Sequence, residues 1–147
     1  MSRPARADYV TDVRLSLVTI VVNDYDAALQ FYVGILGFEL SADEPAVASG
    51  GELKRWVVVR PPGGQTGVLL AEAAGERQWT SIGAQTGGRV AFFLEVDDLE
   101  SHYRRLVAAG VEFESEPRSE PYGRVAVFVD IAGNRWDLIE PAVAFDR

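Results

Sequence analysis

The sequence predicts an α+β fold made of two tandem modules, each with the element order βαβββ. The main observation is an internal repeat. The segment 22–26 (VNDYD) opens a helical stretch that closes on 36–40 (LGFEL), and the segment 96–100 (VDDLE) opens a second stretch that closes on 109–113 (AGVEF). The two openings lie 74 positions apart. A repeat at half the chain length indicates two copies of one supersecondary unit, and the concave surface between paired copies is where a function is expected.

The first module is predicted over residues 14–72. It opens with the β-branched run RLSLVTIVV, which is typical of a strand buried on much of both faces. A stripe of apolar residues at helical spacing then ends at Gly37, where a left-handed residue is favoured. The predicted elements are a strand over 14–22, a helix over 24–36, a short strand over 38–40, a loop over 41–51, and hairpin strands over 54–60 and 66–72.

The second module, residues 89–141, repeats this order after a polar connector over 73–88. Its predicted elements are a strand over 89–96, a helix over 97–109, a strand over 111–114, a loop over 116–122, and strands over 124–129 and 135–140. Residues 1–13 are predicted to form a flexible N-terminal tail, and residues 142–147 a C-terminal tail. The two-arginine N-terminus has no apolar segment after it, so no secretory signal is predicted.

Composition narrows the classes of partner. The chain has 147 residues, of which 48% are hydrophobic and 24% charged, as expected for one compact globular domain. The net charge of −8 disfavours nucleic acids and anionic membranes, and no apolar stretch approaches the roughly 20 residues that span a bilayer. The chain has no cysteine, which excludes disulfides and thiolate chemistry. A cytoplasmic location is predicted. The acidity fits either a solvated surface or a cavity for a cationic ligand.

Two motifs carry a family resemblance. The pattern V-x-D-x-D-x-A-x-x-F-Y-x-x-x-L-G-F runs from Val22 to Phe38, and the second module contains D-x-x-G-N-x-x-D-L from Asp130 to Leu138. Together they resemble the vicinal-oxygen-chelate superfamily, which includes glyoxalase I, extradiol dioxygenases, methylmalonyl-CoA epimerase, fosfomycin-resistance enzymes and bleomycin-binding proteins. The resemblance implies an open eight-stranded cup. In the enzymes, four side chains at its floor hold a divalent metal that acts as a Lewis acid.

The residues that align with those four ligands are Leu17, Leu70, Ala91 and Asp137. Three of them have no donor atom, and one carboxylate among apolar neighbours holds a divalent ion poorly. We therefore predict no metal and no other cofactor. The chain has a single histidine, His102, which falls in the middle of the second predicted helix and cannot reach a site on the sheet.

Strand alternation predicts which side chains line the cup instead. The expected pocket has an apolar, aromatic floor with a few polar groups, as small-molecule sites do. The predicted ligand-binding residues are Leu17, Trp56, Leu70, Arg89, Ala91, Phe93, Tyr122, Trp136 and Asp137. Core packing is the alternative for each tryptophan. Asp137 has three alternatives: an ion pair with Arg89, recognition of a cationic or hydroxyl-bearing ligand, or general acid–base catalysis favoured by a raised pKa.

These observations favour a non-catalytic protein that sequesters a hydrophobic or cationic small molecule such as an antibiotic, like the bleomycin-binding branch. The alternative is a glyoxalase-like lyase, an epimerase or a dioxygenase that uses a displaced metal or Asp137 as acid or base. A structural or regulatory dimer without a ligand is the third hypothesis. The resemblance also implies a homodimer, because bleomycin-binding relatives form their pockets at the subunit interface.

Overall fold

A computed structural model describes residues 12–47, 49–51 and 53–143. Of the two predicted tails, all but residues 12–13 and 142–143 lie outside the described residues. The elements are β1 (Leu17–Val22), α1 (Tyr25–Leu29), a π-helical segment (Gln30–Ile35), β2 (Glu39–Val47), β3 (Leu53–Arg60), β4 (Gly67–Glu72), α2 (Glu76–Ser81), β5 (Val90–Glu95), α3 (Leu99–Ala108), β6 (Glu112–Phe113), β7 (Arg118–Glu120), β8 (Gly123–Val129) and β9 (Arg135–Pro141). Within the described part of the chain, no helix is long and apolar enough to cross a membrane.

The strands form two open sheets with the same topology. The first sheet has the order β1-β4-β3-β2, and the second has the order β5-β9-β8-β6, with β7 also pairing with β8. In each sheet the first strand runs parallel to the last strand of its module, and the other pairs are antiparallel. The predicted α+β fold of two βαβββ modules is therefore confirmed.

The helices α1 and α3 begin with the same capping arrangement. The Asp24 side chain accepts a hydrogen bond from the Ala27 backbone N–H at 2.7 Å, and Asp98 accepts one from the Ser101 backbone N–H at 3.2 Å. Each aspartate satisfies a donor that has no partner inside its helix. The repeated aspartate in the sequence thus marks two equivalent helix starts.

A glutamate at the end of each module's last strand completes the cap. Glu72 accepts a hydrogen bond from the Tyr25 backbone N–H at 3.2 Å, and Glu140 accepts one from the Leu99 backbone N–H at 3.0 Å. A carboxylate at a helix N-terminus is favoured by the helix dipole. The two glutamates therefore tie each helix to the sheet of its own module.

The first predicted helix is continuous but changes type. After α1 the chain widens into the π-helical segment, where the Leu36 N–H donates to the Phe31 carbonyl oxygen at 2.8 Å. Phe31, Tyr32 and Leu36 are all buried. The helix then stops at Gly37, whose φ of +86° only glycine adopts easily. The sequence predicts this stop correctly, but the π turn has no simple sequence signal.

Two predicted loops contain strands. The prediction of a loop over residues 41–51 is wrong for its first part. In the structure β2 continues to Val47 through a β-bulge and pairs with β3. Pro45, which suggested a loop, is opposite Arg55 in this pairing. A proline is tolerated there because β2 is the edge strand of its sheet. The loop predicted over 116–122 likewise contains β7.

Each sheet has a helix face, which packs against the helices, and a cup face on its other side. Ile20 and Leu70 are register partners on parallel strands, and both lie in the hydrophobic core beside α1. Because side chains alternate along a strand, the neighbouring positions point to the other side. The cup face of the first sheet therefore presents Leu17, Thr19, Val21, Trp56, Val58 and Leu69. By the same argument, the cup face of the second sheet presents Phe93, Val127, Arg135, Asp137 and Ile139.

The helix faces of both sheets share one core. Tyr32 and Phe38 of the first module contact Trp136 of the second, with ring centroids 6.2 and 6.0 Å apart. The Tyr32 hydroxyl also donates a hydrogen bond of 2.6 Å to the buried Asp130 carboxylate. The burial of this hydroxyl and the adjacent Asp130 charge raise the pKa of Tyr32 above its ordinary value, so the phenol stays protonated and keeps donating. The modules are thus joined through their helix sides.

Candidate functional site

A cavity of about 580 Å³ lies on the cup face of the second sheet. Its lining residues come from the start of β5 and from β9: Gly88, Arg89, Val90, Phe93, Arg135 and Asp137. The volume is in the range of small-molecule sites. The structure therefore brings together three of the predicted ligand-binding residues, namely Arg89, Phe93 and Asp137, and adds Gly88, Val90 and Arg135.

Phe93 supplies the aromatic surface of this cavity. It lies directly opposite Asp137 in the register of β5 and β9, and its side chain is 70% exposed. An exposed phenylalanine next to an acid on a sheet face offers a flat apolar surface with a polar group beside it. This arrangement suits a ligand that has a ring and a hydrogen-bonding or positively charged group.

Asp137 is the polar group that the surrounding protein leaves available. Burial raises the pKa of its carboxyl above the ordinary aspartate range, and the positive charges of Arg118 and Arg135 offset this effect only in part. Among the described residues, Asp137 forms no ion pair, and the predicted alternative of a pair with Arg89 is not formed. Its carboxyl can therefore accept a hydrogen bond or a positive charge from a ligand.

The arginines beside Asp137 already have acidic partners. Arg135 donates two hydrogen bonds to Glu114, from Nε at 2.5 Å and from Nη2 at 2.8 Å, and a third to the Gly88 carbonyl oxygen at 3.2 Å. This contact holds the pKa of Glu114 below its ordinary value. Arg118 donates to Glu120 at 2.8 Å. These two guanidinium groups are therefore paired with carboxylates, whereas Arg89, which also lines the cavity, forms no ion pair among the described residues. The cavity thus offers a ligand both the Asp137 carboxyl and the Arg89 guanidinium.

Leu70 and Trp136 were wrongly predicted to line the cup. Leu70 has no exposed surface and lies in the core, and Trp136 is 3% exposed. The Trp136 Nε1–H donates to Asp130 at 2.8 Å and its ring stacks on Phe128 with centroids 5.7 Å apart. The parallel register with β1 turns the Leu70 side chain to the helix face, so Leu69 lies on the cup face instead. Core packing, the alternative for the tryptophans, holds for Trp136.

Ala91 was also predicted to lie on the floor of the cup, but a β-bulge in β5 takes it out of that position. Val90 pairs with Arg135 and Phe92 pairs with Trp136, so Ala91 is the extra residue between two paired positions. Val90 consequently takes the place beside Phe93 and lines the cavity. A one-residue irregularity of this kind cannot be read from hydrophobic alternation.

The remaining predicted residues lie outside this cavity. Leu17 and Trp56 are on the cup face of the first sheet, where Trp56 is 44% exposed. Tyr122 lies in the turn between β7 and β8, is 53% exposed, and is close enough to Arg118 to influence its pKa. These three residues therefore belong to different parts of the surface within one chain.

Two residues near the cavity were not predicted. Arg118 falls in a predicted loop. In the structure it lies in β7 and pairs with Val125 of β8, which places its side chain on the cup face. Glu114 was assigned to a strand, with no indication that it meets Arg135. Both contacts depend on strand pairing over long sequence separations. The amide of Gln85, in the connector, donates to the Thr19 carbonyl oxygen and accepts from the Val21 N–H, both at 2.9 Å, and so ties the connector to β1.

The donor set does not fit the metal of the related enzymes. Of the four aligned positions, Leu17, Leu70 and Ala91 have no side-chain atom that could bind a metal. In the structure Leu69 takes the place of Leu70 on the floor and Val90 takes the place of Ala91, and neither side chain has a metal-binding atom. Over residues 12–47, 49–51 and 53–143, no three His, Asp or Glu side chains come together in a group that could hold an ion. No catalytic step through a metal follows from this site.

Two tandem βαβββ modules with open sheets of the same strand order define a class of α+β proteins. The chain belongs to the Glyoxalase/Bleomycin resistance protein/Dioxygenase superfamily, whose family model matches residues 14–138. The predicted family resemblance is thereby confirmed. Since this superfamily contains unlike chemistries, membership establishes the fold and leaves the activity to the site.

Individual relatives agree with this membership. A protein of Shewanella frigidimarina described as uncharacterized is 45% identical over 124 residues, which cover 84% of this chain and 90% of the relative. The crystal structure of TnmS3, an antibiotic binding protein from Streptomyces sp. CB03234, has 30% identity and a TM-score of 0.73, and the match covers 91% of this chain and all of that one. UcmS2 has 32% identity and the same TM-score, over 88% of this chain and 99% of the other.

Proposed function

We propose that this protein binds a hydrophobic or cationic small molecule, such as an antibiotic, on its cup face without metal-dependent conversion. The observation that carries the proposal is the juxtaposition of the exposed Phe93 ring and the unpaired Asp137 carboxyl in one cavity. The likeness to TnmS3, an antibiotic binding protein, supports it. The predicted cytoplasmic location would suit a protein that sequesters a compound after its entry into the cell.

A thermal-shift screen tests this function. We expect stabilisation by a cationic or polycyclic antibiotic, because a ligand at about 100 times its Kd raises the free energy of unfolding by about 2.7 kcal/mol.

Phe93→Ala removes the ring surface and should weaken binding of the best compound about tenfold or more. Asp137→Asn should weaken cationic compounds more than neutral ones. Glu76→Gln, an exposed carboxylate on α2 that does not line the cavity, is the matched control and should leave binding unchanged.

The second candidate function is catalysis with Asp137 as general acid or base, which its raised pKa favours. Aldehyde–glutathione adducts and catechols are therefore included in the same screen, together with metal analysis of protein purified without chelator. Turnover of either class, or near-stoichiometric nickel, zinc, iron or manganese that restores activity on reconstitution, would overturn the sequestration proposal. The absence of any shift across all classes would favour a structural or regulatory role.

We further propose that a second copy of the chain completes the cup. The lining residues of the cavity belong to the second module, apart from Gly88 at the end of the connector, whereas the cup face with Leu17 and Trp56 belongs to the first module. Because the helix faces share one core, both cup faces are turned outward within one chain. A twofold arrangement would place the first module of one copy opposite the second module of the other and bury the exposed aromatic side chains.

Light scattering on the purified protein tests the dimer. We expect twice the mass of the chain at micromolar concentration, and we expect Trp56→Glu and Phe93→Glu to shift the equilibrium toward monomer because each buries a charge in the interface. Val107→Glu, a matched change of an exposed apolar residue on α3, should have no effect. A wild-type monomer at these concentrations contradicts the proposal.

A further inference from the structure

A second, larger cavity lies on the helix side of the molecule. Its volume is about 790 Å³. The first module contributes the end of the π-helical segment and the β3–β4 turn to its walls, and the second module contributes α3 and the ends of β5 and β9. It shares no lining residue with the cavity on the cup face. The two cavities are therefore separate sites.

The walls of this cavity are apolar and well supported. Leu36, Phe38, Leu106 and Leu138 form its base, and each has at most 6% of its surface exposed. Because these side chains are packed in the core, they hold the base in place. The half-buried Leu94, Val96 and Pro61 supply the apolar surface that a ligand can contact.

Arg105 provides a positive charge in the lining. Its Nη1 donates to the Ile35 carbonyl oxygen at 2.6 Å, and its Nη2 lies 3.4 Å from His102 Nδ1. Among the described residues, no carboxylate forms an ion pair with it. A guanidinium has five N–H donors in a planar fork, so most of them remain available to a carboxylate from a ligand.

The opposite end of the cavity is acidic. Asp97 and Glu140 line it where α3 begins, and Glu140 is held there through Oε1, which accepts from the Leu99 N–H. Its Oε2 makes no hydrogen bond to the described residues. From Leu99 to Arg105 the helix rises about 9 Å at 1.5 Å per residue. The acidic groups at the start of α3 and Arg105 near its end are thus separated by His102 and by apolar side chains, and Glu95 adds a third carboxylate to the lining.

We propose that this cavity binds an apolar zwitterion, namely a short apolar peptide with free termini. The peptide carboxylate would bind Arg105, its ammonium group would lie near Glu140 and Asp97, and its side chains would pack on Leu94, Val96 and Pro61. An extended tripeptide spans about 10 Å. This length is similar to the rise of about 9 Å along α3 from Leu99, whose N–H holds Glu140, to Arg105. A ligand with only an anionic group would be repelled by the acidic end, and one with only a cationic group would leave Arg105 without a partner.

Isothermal titration calorimetry with trileucine tests this proposal. We expect binding in the sub-millimolar range and a loss of about tenfold or more on amidation of the peptide's C-terminus or acetylation of its N-terminus. Arg105→Gln should weaken trileucine to the level of the amide while leaving the amide unaffected. Arg104→Gln is the matched control, since Arg104 is the next residue of α3, pairs with Glu100 and does not line the cavity.

Arg105→Gln also removes the hydrogen bond to Ile35, so a variant that leaves the charges intact is needed. Val96→Phe fills the cavity from its wall and should abolish trileucine binding. Asp137→Asn, on the cup face, should leave it unchanged, which separates this site from the proposed small-molecule function. Failure of trileucine to bind at about 5 mM, or equal affinity for the free and the blocked peptides, overturns the proposal.

Discussion

Replacement of Asp130 by alanine should lower the free energy of unfolding by about 3–5 kcal/mol. The Asp130 carboxylate is 5% exposed and accepts hydrogen bonds from Tyr32, Trp136, the Ala132 N–H, and both the backbone and the side chain of Asn134. Alanine would leave a buried hydroxyl, an indole N–H and an amide without acceptors. Urea unfolding at pH 7, with the slope compared to that of the wild type, measures the loss.

Tyr32→Phe is the matched comparison for Asp130→Ala. It removes one of the donors and leaves the others on the carboxylate, so the expected loss is about 1–2 kcal/mol. Because the Tyr32 hydroxyl donates directly to the Asp130 carboxylate, the two variants should be non-additive when combined. A loss below about 1 kcal/mol for Asp130→Ala would mean that this contact does not hold the modules together.

Replacement of Leu70 by alanine should cost about 2–5 kcal/mol, because it leaves a cavity in a core position with no exposed surface. Leu17→Ala removes the same atoms from the cup face and should cost no more than about 1 kcal/mol, since its side chain is only partly buried. The pair tests the facing of β1 and β4 directly. Equal losses in urea unfolding would show that the assignment of helix face and cup face is wrong.

Two of the residues predicted to bind a ligand, Phe93 and Asp137, line the same cavity of the structure. Asp137 lies in the run RWDL, where polar and apolar residues alternate. Phe93 lies in the apolar run VAFFL, where alternation gives no preference, and its predicted facing depended on the alignment of the two modules. Leu70 lies in the run VLLA, where alternation gives no preference for one face. Ala91 is displaced by a bulge whose presence depends on how β5 meets β9. Partners such as Glu114 for Arg135 arise from pairing between distant strands.

The sequence by itself determined the repeat of βαβββ modules, the aspartates that begin both helices, and the shortage of metal donors at the floor. These features depend on local spacing and on residue type, which the chain carries wherever it folds. Only the tertiary structure decided which side of each strand faces the helices, and how Tyr32 and Asp130 join the modules. The physical reason is that strand facing and module packing are set by register and by burial against distant segments, and a shift of one residue moves a side chain from the core to the cup.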